Sequence, residues 1–447
     1  MISLPVITLI LIFFIYQKKN NKHFGIVGLL VLTYLVMAGL ALVLELSGWF
    51  PGVFPYDFKP MAYLSVCFII VFIGFTGFKD HRFSAIKIEN VFLYRVLENI
   101  LLVGGFLAIG FFLPFAIRAF TGDIMMNRID QVAQNTLLPG WGIVNSIFSL
   151  FGNLFILAQV FAFMNLIPRN GKRKNVKAFL LLLSSFSYII YIFAYVGRDG
   201  IIYWIMSCLY CYFLFRSLIT KDDLKKLKLL FVFSGSVLLI LFFLISVSRF
   251  SESRAGTGWN ILNYGGMQIK AFNDYYRIVP PLGYGRTNFP VFVQILEFVG
   301  FEIKKAPEEL ERFSYYLDES VKPWLFGTFI VNMIIDFGKI GALAFLCLMS
   351  LITRKTLKKV SATGIFDFSN LVLFILLYQI VYWGVFYFRQ YSANYYMIFM
   401  ILLFIMFKVC RLLRFSVLYQ KNKKTQPEGN RNSLEHSNVH APVDKFV

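Results

Sequence analysis

Long apolar runs, separated by short polar links, constrain this chain more than any other feature of its sequence. They lie at Ile2–Tyr16, Phe24–Leu44, Met61–Phe78, Val96–Ile117, Trp141–Ile167, Ala178–Val196, Ile201–Phe215, Leu229–Val247, Phe326–Ile352, Leu371–Phe388 and Ala393–Leu413. A backbone placed in hydrocarbon must satisfy its own amides, and a helix of about 20 residues does so while crossing a bilayer. The eleven runs therefore predict an all-α polytopic membrane protein of about 11 transmembrane helices. Of the 447 residues, 58% are hydrophobic, and the mean hydropathy is +0.67. That is more apolar surface than a water-soluble fold of this size can hide. The first run has no basic flank before it and no small-residue cleavage site after it, so it is read as a retained span.

The formal charge is +20, which on a soluble chain would suggest nucleic acid. Here the cations gather in the links. Lys18, Lys19 and Lys22 follow span one; Lys79, Arg82 and Lys87 follow span three. Arg169, Lys172, Arg173, Lys174 and Lys177 follow span five; Arg216, Lys221, Lys225, Lys226 and Lys228 follow span seven. Arg354, Lys355, Lys358 and Lys359 follow span nine, and Lys421, Lys423 and Lys424 lie beyond span eleven. Every odd span thus ends on a basic link, which the positive-inside rule places in the cytoplasm. The N-terminus is expected outside and the C-terminus inside, with no nucleic-acid face.

One outward link is much longer than the rest. The expected organisation is 1–247 as spans one to eight, 248–324 as a large, partly helical outer loop, 325–414 as spans nine to eleven, and 415–447 as a disordered tail. Within the loop, Trp259–Arg277 and Pro307–Asp318 read as helices, and the Pro/Gly-rich Val279–Asn288 as turns. Val291–Phe301 is apolar but too short to cross, which suits a helix lying on the membrane or dipping into it.

The chemistry available to that loop is restricted. His23, His81, His436 and His440 all fall on the cytoplasmic side, leaving the outer face without a histidine base. Cys67, Cys208, Cys211, Cys347 and Cys410 lie inside apolar runs; the CxxC spacing of Cys208 and Cys211 lacks a second ligand pair and reads as packing. No metal-ligand cluster, Walker loop or dinucleotide glycine pattern is present, so no cofactor is expected. The outer side does carry arginines at span ends: Arg118, Arg198, Arg249, Arg254, Arg286 and Arg389. Guanidinium offers a planar fork of donors that matches phosphate oxygens and stays charged when partly buried. Snorkelling or helix capping is the default for any one such arginine. Arg198 departs from it, because Val196-Gly197-Arg198-Asp199-Gly200 is a tight link with no need of an arginine–aspartate pair for solubility. Asp336 and Lys339, three residues apart inside span nine, are placed to pair on one helix face or to take part in chemistry. The loop aromatics, Tyr264 and Tyr284 among them, suit either an interfacial belt or platforms for sugar rings.

A Gly-Arg-Asp-Gly turn opens a span at Gly197, and the large loop begins Ser248-Arg249. Gly285-Arg286-Thr287-Asn288-Phe289-Pro290, Gly327-Thr328-Phe329 and Asp336-Phe337-Gly338-Lys339-Ile340-Gly341 follow. Together these resemble the Wzy-type oligosaccharide repeat-unit polymerases of O-antigen and capsule synthesis, over most of the chain from span five onward. The resemblance implies a GT-C-like, metal-independent glycosyltransferase of the bacterial inner membrane with a periplasmic active site. Its partners would be undecaprenyl-pyrophosphate-linked oligosaccharides, membrane lipids and a polysaccharide chain-length regulator. On this reading Arg198, Arg249, Arg254 and Arg286, with Arg389 as a further candidate, steady the pyrophosphate. Glu252, Asp199 and Asp274 are the candidate bases, with Asp274, Tyr264 and Tyr284 also placed to contact substrate. A flippase of the same lipid and an O-antigen ligase are the rivals. Concentration of polarity in one loop argues against the first, and a loop without histidine against the second.

Overall fold

The computed structural model describes residues 1–48, 54–121, 142–168, 175–250, 257–277, 283–304, 326–388, 394–410 and 417–420. For 248–250, 257, 261 and 417–420 the description covers the backbone alone. The chain runs α1 (Ser3–Lys19), α2 (Ile26–Leu46), α3 (Phe58–Phe75), β1 (Ala85–Ile88), α4 (Val91–Ala119), α5 (Gly142–Asn153) and α6 (Phe155–Leu166). It continues through α7 (Asn175–Ser184), α8 (Ser187–Ala194), α9 (Asp199–Phe215), α10 (Lys221–Phe250), α11 (Thr257–Arg277) and α12 (Pro290–Phe298). The last elements are α13 (Thr328–Thr363), β2 (Ile365–Asp367), α14 (Phe368–Trp383), α15 (Asn394–Cys410) and β3 (Val417–Gln420).

Among the described residues, six helical stretches are long and apolar enough to cross a membrane: Ile26–Leu46, Phe58–Arg82, Val91–Ala119, Asn175–Ala194, Lys221–Val247 and Thr328–Thr363. The bent pair α5 and α6, turned by 42°, makes a seventh if it counts as one span. Three further apolar helices, α9, α14 and α15, are shorter at 16 or 17 residues. The protein is an α-helical polytopic membrane protein with very little sheet.

Helix ends follow local chemistry. Asn90 caps α4, its side chain accepting from Leu93 N at 3.0 Å. At the far end of α13, Gly364 adopts φ 72° and its N–H returns to Val360 O at 2.7 Å, the left-handed stop that glycine permits. Span nine was expected to end at Ile352; α13 instead continues to Thr363 through Arg354, Lys355, Lys358 and Lys359. Those side chains tolerate a helix that leaves the apolar layer.

The links gather at two ends. At one, β1 pairs in parallel with β2 and antiparallel with β3, so short segments following α3, α13 and α15 share one small sheet. There Arg216, after α9, donates to Phe24 O between α1 and α2, and Ser217 Oγ donates to Phe83 O at 2.9 Å. Within the tail 415–447, expected to be disordered, Val417–Gln420 forms a strand, because β1 has a free edge and this segment supplies its hydrogen-bond partners. At the other end, Thr328 N and Phe329 N donate to Phe386 O and Gly384 O, and Asn394 Nδ2 donates to Asn288 O at 3.0 Å. We call these the sheet end and the loop end.

Two features of the loop end differ from expectation. Helix α11 belongs to the bundle itself: residues 266–275 are buried. A side chain at Gly266 would stand 2.8 Å from the Leu40–Ala41 backbone of α2, so only glycine allows the two helices to approach this closely. This part of the expected outer loop 248–324 is therefore packed into the bundle. The second difference is a break in α13 at Gly338, with φ 69° and ψ 176°. It leaves Asp336 and Lys339 on separate helical pieces, and they do not pair with each other as a shared helix face would require. The piece beyond the break is by itself long enough to cross. Tyr63 Oη, five residues into α3, donates to Lys339 O at 2.6 Å, so the break lies near the loop end.

Candidate functional site

The loop end holds fixed cations along α11. At its first half stands Arg198, the residue before α9. Val196 takes φ 55°, turning the chain so that Gly197 N donates to Ile192 O at 3.0 Å. Gly197 and Gly200 pack so closely on the Ile192 side chain that a Cβ at either would collide with it. The turn aims Arg198 into the protein, where it is 8% exposed. Its Nη1 donates to Ser246 Oγ of α10 at 2.7 Å. The guanidinium carbon also lies 5.3 Å from the Phe242 ring centre and 5.2 Å from that of Tyr264. Arg198 and Tyr264, both expected from the sequence, are thus brought together. Asp199 occupies the first turn of α9, where the helix dipole favours a carboxylate. Arg249 is the third residue after Ser246 on α10, so its backbone lies one turn beyond the Arg198 contact. The Arg249 side chain, and Glu252, Arg254 and Arg389 entirely, lie outside the described residues.

The second half of α11 carries a set that sequence reasoning largely missed. Lys270 is buried, donates to Phe54 O, lies 3.7 Å from Asp274 Oδ1 and stands 4.6 Å from the Tyr56 ring centre. Burial lowers the pKa of its ammonium, and Asp274 opposes that shift. Asn273 accepts from Asp57 N at 3.1 Å, and Arg277 pairs with Asp57 at 3.3 Å. One turn-spaced face of α11, residues 270, 273, 274 and 277, therefore holds the 54–57 link. Of these only Asp274 was expected, and it is already committed to Lys270 and to Phe54 N. The i, i+4 spacing of Lys270 and Asp274 was the one signal available. Lys339 faces the same region, its ammonium 3.9 Å from the Tyr276 ring centre.

The Gly285–Pro290 motif has a different task. Asp336, 1% exposed, accepts from Thr287 N at 3.1 Å, Asn288 N at 2.9 Å and Asn288 Nδ2 at 2.7 Å. Asn332 and Asn288 bond reciprocally, at 3.0 Å and 2.9 Å, and Phe388 N donates to Asn332 Oδ1 at 2.9 Å. This knot ties the turn to α13 and to the end of the α14 segment. Arg286 points away from it, donating to Glu297, to Ile303 O at 2.9 Å and to Lys304 O at 3.0 Å. Tyr284, with φ 50°, lies beneath Lys304, whose ammonium is 5.8 Å from its ring centre. Arg286 is thus turned toward its own loop and not toward Arg198.

Arg198 thus lies against Tyr264 on the first half of α11, while Lys270 and Arg277 on its second half are met by Asp274 and Asp57. Among the described residues, no three His, Cys, Asp or Glu side chains assemble as a metal-ligand set. No protein-family model, curated protein or solved structure matches the chain.

Proposed function

We propose that this protein is a Wzy-type repeat-unit polymerase of about eleven spans with a GT-C-like fold, set in the bacterial inner membrane. The loop end faces the periplasm and the basic sheet end the cytoplasm. The observation that carries the reading is the buried Arg198 guanidinium, held by Ser246 and two aromatic rings at the end of a membrane bundle. A permanently charged group kept there in fixed geometry has the form needed to stabilise a leaving pyrophosphate without reorganising. The acceptor sugar hydroxyl attacks the anomeric carbon of the donor glycan, its C–O bond to the lipid pyrophosphate breaks, and the pyrophosphate leaves with the electron pair. Arg249, Arg254 and Arg389 extend the charge in this reading, while Arg286 would first have to give up Glu297. Asp274 is the weakest candidate base on geometry because its carboxylate already faces Lys270; Asp199 and Glu252 remain.

The test is genetic and chemical together. In a deletion strain, a single repeat unit on lipid, exposed at the periplasmic face, should accumulate, and the wild-type chain should restore long polymer. Arg198→Ala and Arg198→Lys should each remove most polymer at normal protein levels, since lysine keeps the charge and loses the fork. An inward-trapped unit would indicate a flippase, and long unligated polymer a ligase. Full polymer from both Arg198 variants would refute the phosphate role.

A further inference from the structure

Helix α12 has nine residues, far below the about 20 that a crossing helix needs. One side of it is committed to the bundle. Phe289, just before it, packs against Phe337, Phe345 and Phe388 with ring centres 5.8, 5.9 and 5.0 Å apart. Val293 is buried, and Val291 N donates to Asn394 Oδ1 at 3.4 Å.

The other side carries large apolar groups in the open: Ile295, Leu296, Phe298, Val299 and Phe301, with Phe298 92% and Phe301 61% exposed. These are not side chains on a loose end. Gly300 takes φ 99°, its N–H donates to Glu297 O at 3.0 Å, and Phe301 N donates to Leu296 O at 3.0 Å. This is the Schellman closure of a helix, which fixes Phe301 close to the helix that carries Phe298. The chain therefore spends an ordered cap on presenting two phenylalanines outward.

The neighbours show what surrounds them. α12 packs on α15, Phe289 at its start packs on α13, and both of those helices expose apolar side chains of their own, Ile340 (86%), Tyr395 and Leu402. The α12 patch is thus one of several apolar surfaces on the outside of the bundle. Its border is charged: Arg286 bound to Glu297, then Glu302, and Lys304 over Tyr284. An apolar face with a charged rim, on a helix too short to cross, has the form of an interfacial anchor. A protein partner would call for hydrogen-bonding groups within the patch, and its five side chains offer none.

We propose that residues 290–301 are a foot set in the bilayer leaflet at the loop end. The occupant of the apolar face is phospholipid acyl chain, with Arg286, Glu297, Glu302 and Lys304 at headgroup level. The foot then holds the Asn288–Asp336 knot, and with it the break in α13, at a fixed depth. The proposal does not depend on the polymerase reading.

To test it, benzoylphenylalanine is substituted for Phe298 and, separately, for Phe301 in the full chain in native membrane vesicles. After irradiation, intact-protein mass spectrometry reads what was captured. The expected result is a mass gain of one phospholipid at one or both positions. Only protein adducts, or no adduct at either position, would overturn the proposal. Both substitutions add bulk at exposed sites, so folding is preserved in either arm.

Discussion

Asp336→Ala separates a structural carboxylate from a catalytic one. The native side chain is buried and accepts three hydrogen bonds, two from backbone and one from Asn288 Nδ2. Bonds to a charged acceptor contribute about 1.5–3 kcal/mol each, and they do not add fully. Removing the carboxylate leaves three donors facing a void, for an expected loss of about 3–5 kcal/mol, comparable to breaking a buried ion pair. Asp336→Asn keeps the shape and one acceptor oxygen but sets an amide against a donor, and should cost about 1–3 kcal/mol. Equilibrium unfolding in mixed micelles with rising dodecyl sulfate should rank wild type above Asp336→Asn above Asp336→Ala. Polymer made in cells should fall only as the folded protein falls. Wild-type stability with product abolished would place the carboxylate in the chemistry. Wild-type stability with full product would show that the knot holds nothing. Either result refutes the reasoning.

Three further outcomes are expected. Gly266→Val should separate α11 from α2, since its Cβ would lie 2.8 Å from Ala41 N; overpacking of this kind costs about 1–3 kcal/mol, and faster tryptic cleavage after Arg277 would report it. Glu89 accepts from Ser369 N at 3.1 Å, and burial raises its pKa, so the folded state binds its proton more tightly than the unfolded one. Its contribution to stability should therefore decline as pH rises upward from the ordinary glutamate value of about 4.3, and Glu89→Gln should flatten that part of the stability–pH curve. Ending the chain before Val417 should speed amide exchange in Ile86 and Ile88 while leaving Thr328–Ile335 unchanged, because β3 is the partner lost.

The bilayer-crossing character was legible because hydrocarbon imposes a length and a composition that any single segment displays by itself. The break at Gly338 was not. Glycine in an apolar run is ordinary in membrane helices, and only the bonds from Gly283 N to Ile335 O and from Tyr284 N to Asp336 O show that a distant turn competes for this backbone. The same break explains why Asp336 and Lys339 read as a pair: their spacing is helical, and their geometry is not. The sheet was hidden for a related reason. Ala85–Ile88, Ile365–Asp367 and Val417–Gln420 carry no strand signal strong enough to stand out, and each becomes a strand only because the helices before it end at the same place.

The cations divide along the same line. Arg198 could be singled out because its turn is local: two glycines against Ile192 and a left-handed Val196 fix where it points, all within nine residues. Tyr264 is expected from the sequence as a substrate contact, but its position against Arg198 is not, since nothing nearby in sequence joins the two. Lys270 and Arg277 meet a link more than two hundred residues earlier, at Phe54 and Asp57. Within α11 they resemble any exposed basic face. Arg286 shows the converse, where a motif position invited a phosphate role and the nearest carboxylate, Glu297, lay one short helix away. A guanidinium seeks the closest anion that costs no desolvation of its own, so an arginine with a neighbouring glutamate on a paired turn is held by it. Arg198 meets Phe242, Tyr264 and the Ser246 hydroxyl from a turn fixed within nine residues, so the direction of its guanidinium is set by the fold itself. That is why the search for an anion at the loop end should begin there.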